Sequence, residues 1–286
     1  MTIQQQVAEA RLRLARAGIP EAEANLDARL LAQHVLHWNA ATYFRDAQVE
    51  APPAFGGAFD TLVRRRELRE PTAYILARQE FWGLDFEVSP AVLIPRPETE
   101  LIVETALELL PQRHAALAIA DACTGSGCLA VALAREYPGA KIVATDQSSD
   151  ALGMARRNAA THQVATRITF ALTDVLQDVP GPFQLIVANP PYVPDGERLN
   201  LAPEVRDHEP ALALYGGSDG LRVVRTLLHQ ASDRLHAGGW LLFEIGAGQT
   251  AAVAALIDAR PALRLVAFKE DLQGIPRVAV VTRSGT

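Results

Sequence analysis

The 286-residue sequence predicts an α/β fold, in which a doubly wound, mostly parallel seven-stranded sheet follows a small N-terminal α-helical bundle and a β-hairpin. Two observations predict this fold. From Pro97 onward, short apolar runs alternate with amphipathic segments, which is typical of parallel strands covered by helices on both faces. Before residue 80, apolar residues recur at helical spacing instead. Three regions are therefore predicted: a helical region over 1–78, a hairpin linker over 79–95 and a sheet region over 96–286.

The first region is predicted to contain three helices. Apolar side chains recur on one helical face in three segments, residues 2–17, 21–38 and 55–70. Gly18-Ile19-Pro20 ends the first helix, and Pro71 closes the third. The basic run Arg64-Arg65-Arg66 is interpreted as a solvated helix face rather than a binding patch. Residues 1–86 carry 10 basic and 11 acidic residues, and this near-neutral charge suits a protein-docking module better than a catalytic one.

The hairpin and the elements of the sheet follow in order. Residues 80–88 indicate two short strands that turn near Gly83. Seven strands of the sheet are predicted, at residues 117–121, 140–146, 167–171, 184–189, 239–245, 263–269 and 277–282. The helices between them are predicted at about 98–110, 127–136, 148–160, 220–235 and 248–258.

A glycine-rich loop follows the first strand of the sheet. Gly125 and Gly127 allow a tight turn and a close backbone approach to a ligand, and the helix beyond offers free N–H groups. Ala130 completes a G-x-G-x-x-A pattern, and Asp146 ends the next strand, where a carboxylate can accept hydrogen bonds from ribose hydroxyls. The loop therefore predicts a site for a nucleoside cofactor, and the geometry serves NAD and S-adenosylmethionine equally. The alternative is a glycine turn with a helix-capping aspartate.

The sequence Asn189-Pro190-Pro191-Tyr192 directly follows the apolar run at 185–188, which indicates a buried strand. The prolines stiffen the exit turn and lack the N–H groups that would continue a strand. The Pro190 carbonyl and the Asn189 amide oxygen then present two fixed acceptors beside the Tyr192 ring. This pair suits a planar group that bears an NH2, such as a glutamine amide or an adenine amine. The alternative is a simple proline turn in which Tyr192 packs on the surface.

The position of this motif favours methyl transfer over nicotinamide chemistry. In a doubly wound sheet, the strand before it lies beside the strand that carries the glycine loop, and ligands bind at the carboxyl ends of strands. A methyl donor and an NH2-bearing acceptor would meet there. Hydride transfer to or from nicotinamide has no use for two such acceptors.

Composition argues against several classes of protein. The net charge of −6 and the pI near 5.7 disfavour a protein that holds long nucleic acid. A DNA or RNA adenine methyltransferase is the strongest enzymatic rival, but it would need a basic track for the nucleic-acid backbone, which this sequence lacks. A noncatalytic protein that retains the fold is the other alternative.

Cys123 and Cys128 predict neither a disulfide framework nor a zinc site and indicate a reducing, cytoplasmic setting. The histidines lack metal-ligand spacing, so no metal site is predicted, and no apolar stretch is long enough for a membrane span.

Eight ordered motifs extend over nearly the whole chain. They are Glu80-Phe81-Trp82-Gly83, Ile94-Pro95-Arg96-Pro97-Glu98-Thr99-Glu100, Thr124-Gly125-Ser126-Gly127-Cys128, Asn189-Pro190-Pro191-Tyr192, Glu209-Pro210-Ala211-Leu212, Gly216-Gly217-Ser218-Asp219-Gly220-Leu221, Glu244-Ile245-Gly246 and Asp271-Leu272-Gln273-Gly274-Ile275-Pro276-Arg277. Together they resemble the release factor glutamine methyltransferase family, whose members use S-adenosylmethionine to methylate the glutamine of the Gly-Gly-Gln motif in peptide chain release factors. The second motif resembles the release-factor branch more than the branch that modifies a ribosomal protein, and it is also typical of a helix N-terminus.

The resemblance implies a set of site residues. The catalytic and substrate-binding residues would be Asn189, Pro190, Pro191 and Tyr192, and the substrate site would also include Arg96, Pro97 and Glu98. The cofactor S-adenosyl-L-methionine, which leaves as S-adenosyl-L-homocysteine, would be bound by Cys123, Thr124, Gly125, Ser126, Gly127, Asp146, Asp174, Val175 and Asn189. Cys123 and Val175 depart from the family pattern, which often has a glycine and an aromatic residue there. The expected partner is a peptide chain release factor, with no nucleic acid or membrane required, and the protein is expected to be a cytoplasmic monomer.

Overall fold

A computed structural model describes residues 1–285 of the chain. These residues form two compact units. The first, called the helical unit, comprises Met1–Arg78 and Ala202–His208. The second, called the sheet unit, comprises Gln79–Leu201 and the described chain from Glu209 onward. The sequence pattern assigns residues 202–208 to the sheet region, whereas the structure groups them with the helices.

The N-terminal part of the helical unit is built from α1 (Ile3–Arg16), α2 (Glu21–Leu36), α3 (Ala40–Asp46), α4 (Phe55–Glu67) and α5 (Thr72–Leu76). Helix α1 begins at a capping box in which Thr2 and Gln5 exchange backbone and side-chain hydrogen bonds of 2.9 and 3.2 Å. The three predicted helices are confirmed as α1, α2 and α4. Helices α3 and α5 were not predicted, because segments of 7 and 5 residues are too short to show a helical period.

Arg66 on α4 is buried within the helical unit, with 2% of its side chain exposed. Its guanidinium donates to Asp27 Oδ2 at 2.7 Å and to Glu204 Oε1 at 2.8 Å, and Arg69 donates twice to Glu204, at 2.7 Å each. The prediction of a solvated basic face is therefore wrong for Arg66, because carboxylates from two distant segments compensate its buried charge. The bonds to Glu204 attach the segment Ala202–His208 to the helical unit.

We expect Arg66→Met to lower the free energy of unfolding by about 3–5 kcal/mol, because it deprives Asp27 of its buried partner and removes one partner of Glu204. Arg64→Met is the matched control, since its side chain is 72% exposed and pairs with Asp60 one turn away; we expect a loss below about 1 kcal/mol. Urea denaturation followed by far-ultraviolet circular dichroism measures both values. Equal losses in the two variants would contradict a stabilising role for the buried cluster.

A two-stranded hairpin, β1 (Arg78–Phe81) and β2 (Leu84–Glu87), precedes the large sheet. The later elements are α6 (Glu100–Leu109), β3 (Ala118–Ala122), α7 (Cys128–Glu136), β4 (Lys141–Asp146), α8 (Ser149–Thr161), β5 (Ile168–Leu172), β6 (Phe183–Ala188), α9 (Pro203–His208, in the helical unit), α10 (Ala211–Leu214), α11 (Arg222–Arg234), β7 (Leu235–Glu244), α12 (Thr250–Asp258), β8 (Leu263–Glu270) and β9 (Pro276–Arg283). Short 3-10 turns cover Pro97–Thr99, Ala165–Arg167 and Asp195–Asn200.

The large sheet has the strand order β5-β4-β3-β6-β7-β9-β8. Strands β5 to β7 are parallel along this order, and β9 lies antiparallel between β7 and β8. The prediction of a mostly parallel, doubly wound sheet is confirmed. The one large difference in strand bounds is β7, which begins at Leu235 rather than residue 239, because it follows the end of α11 directly. Helices α9 and α10 were missed because both are very short.

The sheet separates two hydrophobic cores, because successive side chains of a strand point to opposite faces. Ile119 and Leu185 belong to the core that contains α6 and α7, whereas Ala120 and Ile186 belong to the core that contains α11 and α12. Strands β3 and β6 are direct neighbours, and Ala122 pairs with Ala188 at their carboxyl ends. The glycine loop and the proline motif therefore leave the sheet side by side.

Candidate active site

A cleft lies at the carboxyl ends of β3, β4 and β6, the edge where ligands bind in doubly wound sheets. It contains about 1010 Å³ of free space, a volume that includes the open solvent at its mouth. Its lining includes eight residues that the sequence reasoning assigned to the site: Cys123, Thr124, Gly125, Ser126, Asp146, Val175, Asn189 and Pro191. The glycine loop and the proline motif thus share one cavity.

The glycine loop has an unusual backbone conformation. Cys123, Gly125 and Gly127 have positive φ angles of 60°, 54° and 82°. A Cβ atom on Gly127 would lie 2.9 Å from the Cβ of Ala155 on α8, so only glycine allows α7 to begin this close to α8. Cys123 adopts the left-handed conformation without being a glycine, at a cost of about 1–2 kcal/mol. The loop therefore has a positive φ at this position although the residue is not a glycine.

Asp146 is held at the end of β4 by backbone donors. Its Oδ2 accepts from the N–H of Gly125 at 2.9 Å, and its Oδ1 accepts from the N–H of Ser148 at 2.9 Å. Burial raises the pKa of this carboxyl, and the backbone N–H groups oppose that shift. Each carboxylate oxygen keeps a further lone pair, so Asp146 can accept two more hydrogen bonds from a ligand in the cleft.

Val175 forms part of the cleft wall, with 2% of its surface exposed. Its φ of 54° is unusual for a β-branched residue, and its carbonyl accepts a hydrogen bond from the Thr145 hydroxyl on β4. The preceding Asp174 is absent from the described lining, and its carboxylate accepts a hydrogen bond from the Gln147 amide. The structure therefore brings Val175 into the cleft wall and gives the Asp174 side chain a protein partner.

The proline motif follows β6 and offers unpaired acceptors. Asn189 donates through Nδ2 to Thr99 Oγ1 at 3.0 Å, whereas its Oδ1 accepts no hydrogen bond from the described residues. The Pro190 carbonyl likewise has no donor within residues 1–285. Asn189 and Pro191 line the cleft, and Pro190 is buried. The amide oxygen of Asn189 is therefore available in the same cleft as Gly125 of the cofactor loop.

Tyr192 and Thr99 donate to the same buried carboxylate. Thr99 Oγ1 lies 2.6 Å from Glu244 Oε2, and the Tyr192 hydroxyl lies 3.0 Å from Glu244 Oε1. Glu244 ends β7 and is 2% exposed; burial raises its pKa, and the two hydroxyl donors oppose that shift. Sequence reasoning did not identify Thr99 or Glu244 as site residues. The sequence feature that could have identified them is that each belongs to one of the eight motifs, Thr99 to the motif at 94–100 and Glu244 to the motif at 244–246.

The backbone after the prolines is fixed by close packing. Gly220 has a φ of 75°, and a Cβ atom there would overlap the carbonyl oxygen of Tyr192. The same carbonyl accepts a hydrogen bond of 3.0 Å from Gln249 Nε2. Two segments distant in sequence thus hold the exit of the motif in one conformation.

Arg96, Pro97 and Glu98 are absent from the described lining of the cleft. The Arg96 guanidinium forms an ion pair with the buried carboxylate of Glu209, which also accepts from the Ile94 N–H at 3.2 Å. Pro97 begins the 3-10 turn that leads into α6, and Glu98 is half-buried. The structure gives Arg96 a protein partner, and it places these three residues directly before Thr99, which accepts a hydrogen bond from Asn189 of the proline motif.

Asp121 on β3 is a buried carboxylate that sequence reasoning missed. Its Oδ2 accepts from Thr124 Oγ1 at 2.6 Å and from the Ala130 N–H at 3.0 Å, while its Oδ1 has no partner among residues 1–285. Burial raises the pKa of Asp121 to about 7. An unpaired buried acceptor costs free energy, and a donor group of a ligand or of a bound water would reduce that cost.

The two thiols are poor candidates for chemistry. Burial raises the pKa of Cys123 and raises that of Cys128 to about 12, so both stay protonated near neutral pH. Cys128 is buried in the core, and Cys123 lines the cleft. Within residues 1–285, no cluster of three or more His, Cys, Asp or Glu could hold a metal ion. Over the same residues, none of the helices is both long and apolar enough for a bilayer span.

Two family models match the chain. Residues 5–76 match the PrmC N-terminal domain, and residues 99–206 match the Methyltransferase small domain. The chain is 43% identical to the release factor glutamine methyltransferase of Bradyrhizobium diazoefficiens, over 93% of this chain and 89% of that protein. It is 47% identical to the enzyme of the same name from Geobacter sulfurreducens, over 76% of this chain and 75% of that protein.

Solved structures share the fold at lower identity. The T. thermophilus 16S rRNA N2 G1207 methyltransferase, in complex with AdoMet and guanosine, aligns with a TM-score of 0.53 and 17% identity. The alignment covers 73% of this chain and 50% of that chain. This likeness shows that the two chains share an α/β fold.

Proposed function

Because this chain belongs to the release factor glutamine methyltransferase family, we propose that its cleft transfers a methyl group from S-adenosylmethionine to the glutamine of the Gly-Gly-Gln motif in a release factor. Membership rests on the relatives at 43% and 47% identity and makes the chain a protein-glutamine N-methyltransferase that acts on release factors. The proposal adds the cofactor, the modified motif and the residues that perform the reaction.

One observation carries the proposal. The Asn189 side chain presents an amide oxygen without a protein donor in a cleft that Gly125 and Asp146 also line. An acceptor for an NH2 group and a site for a nucleoside therefore occupy the same cavity. A cleft that bound only a nucleoside cofactor would not need a second acceptor for an NH2 group beside the cofactor site.

The residues of the glycine loop fit S-adenosylmethionine. Asp146 can accept hydrogen bonds from both ribose hydroxyls, and Val175 offers an apolar surface to an adenine face. The unpaired Oδ1 of Asp121 suits a donor group of the cofactor. When bound, S-adenosylmethionine supplies an electrophilic methyl group on a positively charged sulfur.

The proline motif would position the amide nitrogen of the target glutamine. This nitrogen is a poor nucleophile because its lone pair is delocalised into the carbonyl. Asn189 Oδ1 and the Pro190 carbonyl can accept its two N–H bonds and hold the lone pair towards the methyl donor, while Pro191 and Tyr192 shape the slot. The same acceptors stabilise the positive charge that develops on nitrogen, and each is worth about 2.7–4 kcal/mol in the transition state. The cationic product amide is acidic enough to lose its proton without a strong base.

Incubation of the purified protein with isotopically labelled S-adenosylmethionine and a release factor tests the proposal directly. We expect one methyl group on the Gly-Gly-Gln glutamine, located by tandem mass spectrometry of the digested release factor. A release factor in which that glutamine is replaced should gain no methyl group. Methylation at another residue, or none, would contradict the proposal.

A nucleic-acid adenine methyltransferase is the second candidate, because an exocyclic adenine amine also fits two acceptors. The net charge of −6 offers little for phosphate binding, and we infer that the chain needs no nucleic acid and acts as a monomer. The same labelled assay with DNA or RNA in place of the release factor decides between the two substrates. Transfer to adenine would favour the rival.

We infer that the helical unit docks the protein substrate. It has a cleft that contains about 870 Å³ of free space, including the open solvent at its mouth, and its lining includes Arg11, Arg29, Tyr43 and Phe44. Phe44 is 70% exposed, and the Arg29 guanidinium lies 5.2 Å from the centre of its ring. Arg29 Nε is buried without a hydrogen-bond partner among the described residues. An exposed aromatic ring beside an arginine is typical of the anchors of protein interfaces.

We expect Phe44→Ala to raise the KM for intact release factor about tenfold, the effect of an interface anchor worth roughly 1.4 kcal/mol. The turnover number and the affinity for S-adenosylmethionine should stay unchanged, because Phe44 lies in the helical unit. Leu68→Ala is the control, since Leu68 is 76% exposed in the same unit and outside the described lining of this cleft. Steady-state kinetics with varied release factor measure both variants, and an unchanged KM for Phe44→Ala would argue against docking at this cleft.

A further inference from the structure

We propose that Thr99 and Glu244 are positioning residues that orient the side-chain amide of Asn189 so that its oxygen faces the target glutamine. This inference rests on the proposed function, because the target amide gives the orientation its purpose. We call the chain of hydrogen bonds from Asn189 through Thr99 to Glu244 the amide relay. Its two bonds are 3.0 and 2.6 Å long.

The relay has a direction whenever Glu244 is ionised, because an ionised carboxylate can only accept hydrogen bonds. The single hydroxyl proton of Thr99 is therefore donated to Glu244 Oε2. Thr99 Oγ1 is left with lone pairs, and it can only accept from Asn189. Asn189 must consequently present its NH2 group to Thr99, which leaves Oδ1 for the cleft.

This direction matters because a glutamine amide brings N–H donors to the site. If the Asn189 amide rotated by half a turn, its own NH2 group would face the NH2 of the target, and two donors would repel each other. An asparagine alone has little preference between the two orientations, since its oxygen and nitrogen ends are nearly the same size. The buried carboxylate supplies the preference.

The position of Glu244 in the sheet supports the same role. Strands β6 and β7 are parallel neighbours, and Ala188 pairs with Phe243, so the next residues along the two strands are Asn189 and Glu244. Glu244 also accepts from the Tyr192 hydroxyl at 3.0 Å. One carboxylate therefore holds both ends of the proline motif.

Burial makes the relay specific rather than incidental. Thr99 is 1% exposed and Glu244 is 2% exposed, so water does not compete for these bonds. Within the described chain, the side chain of Glu244 accepts hydrogen bonds from two hydroxyl groups, those of Thr99 and Tyr192. A carboxylate kept in the interior with two neutral donors is costly for stability alone, and well-packed apolar residues would serve packing as well.

The relay is tested with Thr99→Val, which keeps the shape of the side chain and removes the hydroxyl. We expect the turnover number to fall about 10–100-fold. This loss is smaller than the loss expected when the acceptor itself is removed, because Asn189 is still present but less well oriented. The dissociation constant of S-adenosylmethionine, measured by calorimetry, should change less than about threefold. Thr99→Ser restores the hydroxyl and should recover most of the turnover. A purely structural role would instead lower the melting temperature of Thr99→Val and leave its turnover below that temperature intact.

Glu244→Gln adds a test of the connection between the two residues. Each single variant breaks the same relay, so the double variant Thr99→Val, Glu244→Gln should turn over about as slowly as the slower single variant. Losses that multiply in the double variant would overturn the relay.

A measurement without turnover separates this inference from the proposed function. In protein labelled with nitrogen-15, the two side-chain amide protons of Asn189 should have well-separated shifts, because one of them is bonded to Thr99. We expect this separation to shrink in Thr99→Val and to return in Thr99→Ser. An unchanged spectrum in Thr99→Val overturns the relay even if the enzyme is active. A wild-type protein that shows the bond but methylates no release factor would refute the proposed function alone.

Discussion

Asn189→Ala should lower the turnover number for release factor by about two to three orders of magnitude. The substitution removes an acceptor that is aimed at the nitrogen on which charge develops, and a preorganised hydrogen bond of this kind is worth about 2.7–4 kcal/mol in the transition state. The amide oxygen of Asn189 has no protein donor, so its loss leaves no protein group unsatisfied at that end. We therefore expect the affinity for S-adenosylmethionine to change only a few-fold. Single-turnover kinetics with saturating cofactor measure the chemical step directly.

Asn200→Ala provides the matched control, since it makes the same exchange at an exposed residue of the 3-10 turn Asp195–Asn200. Its turnover and its cofactor affinity should equal those of the wild type. A turnover of Asn189→Ala within tenfold of the wild type would remove Asn189 from the reaction, and the proposed mechanism would fail with it.

Asp146→Ala should weaken the binding of S-adenosylmethionine by about 100–1000-fold. Two hydrogen bonds from ribose hydroxyls to a charged carboxylate together contribute roughly 3–4 kcal/mol, which corresponds to that range of dissociation constants. The variant also removes the acceptor of the Gly125 N–H, so the cofactor loop loses an anchor. Isothermal titration calorimetry measures the dissociation constant, and circular dichroism checks that the fold is retained.

Asp150→Ala is the control for this variant, because it removes an exposed carboxylate from the first turn of α8, four residues further along. It should bind the cofactor like the wild type. Burial raises the pKa of Asp146, and the protonated carboxyl cannot accept at both oxygens, so cofactor affinity should also weaken as the pH falls through that raised value. A dissociation constant for Asp146→Ala within fivefold of the wild type would assign the ribose to another group.

The parts of the structure that were predictable depend on short stretches of sequence. Apolar runs bounded by turn residues located β3, β4 and β6, and the glycines and prolines that follow located the two loops at their ends. The neighbourhood of those loops followed from the order of strands in a doubly wound sheet. Such features need no knowledge of which distant residues meet.

The parts that were missed depend on contacts between residues far apart in the chain. Thr99 and Glu244 are separated by 145 positions, and Thr99 and Asn189 by 90. Arg66 and Glu204 are separated by 138 positions, so a basic run on α4 looked like a solvated face. A periodic pattern describes one element at a time and contains no information about a hydroxyl or carboxylate supplied by another.

Backbone conformation is a second feature that the sequence pattern does not show. Cys123 and Val175 both adopt positive φ angles that non-glycine residues rarely take. Sequence reasoning treated Cys123 as the loss of a flexible position, whereas the structure shows the conformation without the glycine. The ion pair of Arg96 with Glu209 is instead a contact between distant residues, because 113 positions separate the two.

The attachment of Ala202–His208 to the helical unit restricts how this protein could be recombined with its relatives. The chain leaves the sheet unit after Leu201 and returns at Glu209, so the helical unit is encoded by two separate stretches of the gene. A chimera that exchanged residues 1–78 alone would place Glu204 opposite foreign side chains in place of Arg66 and Arg69. A chimera that kept this ion-pair cluster intact would therefore transfer both stretches together.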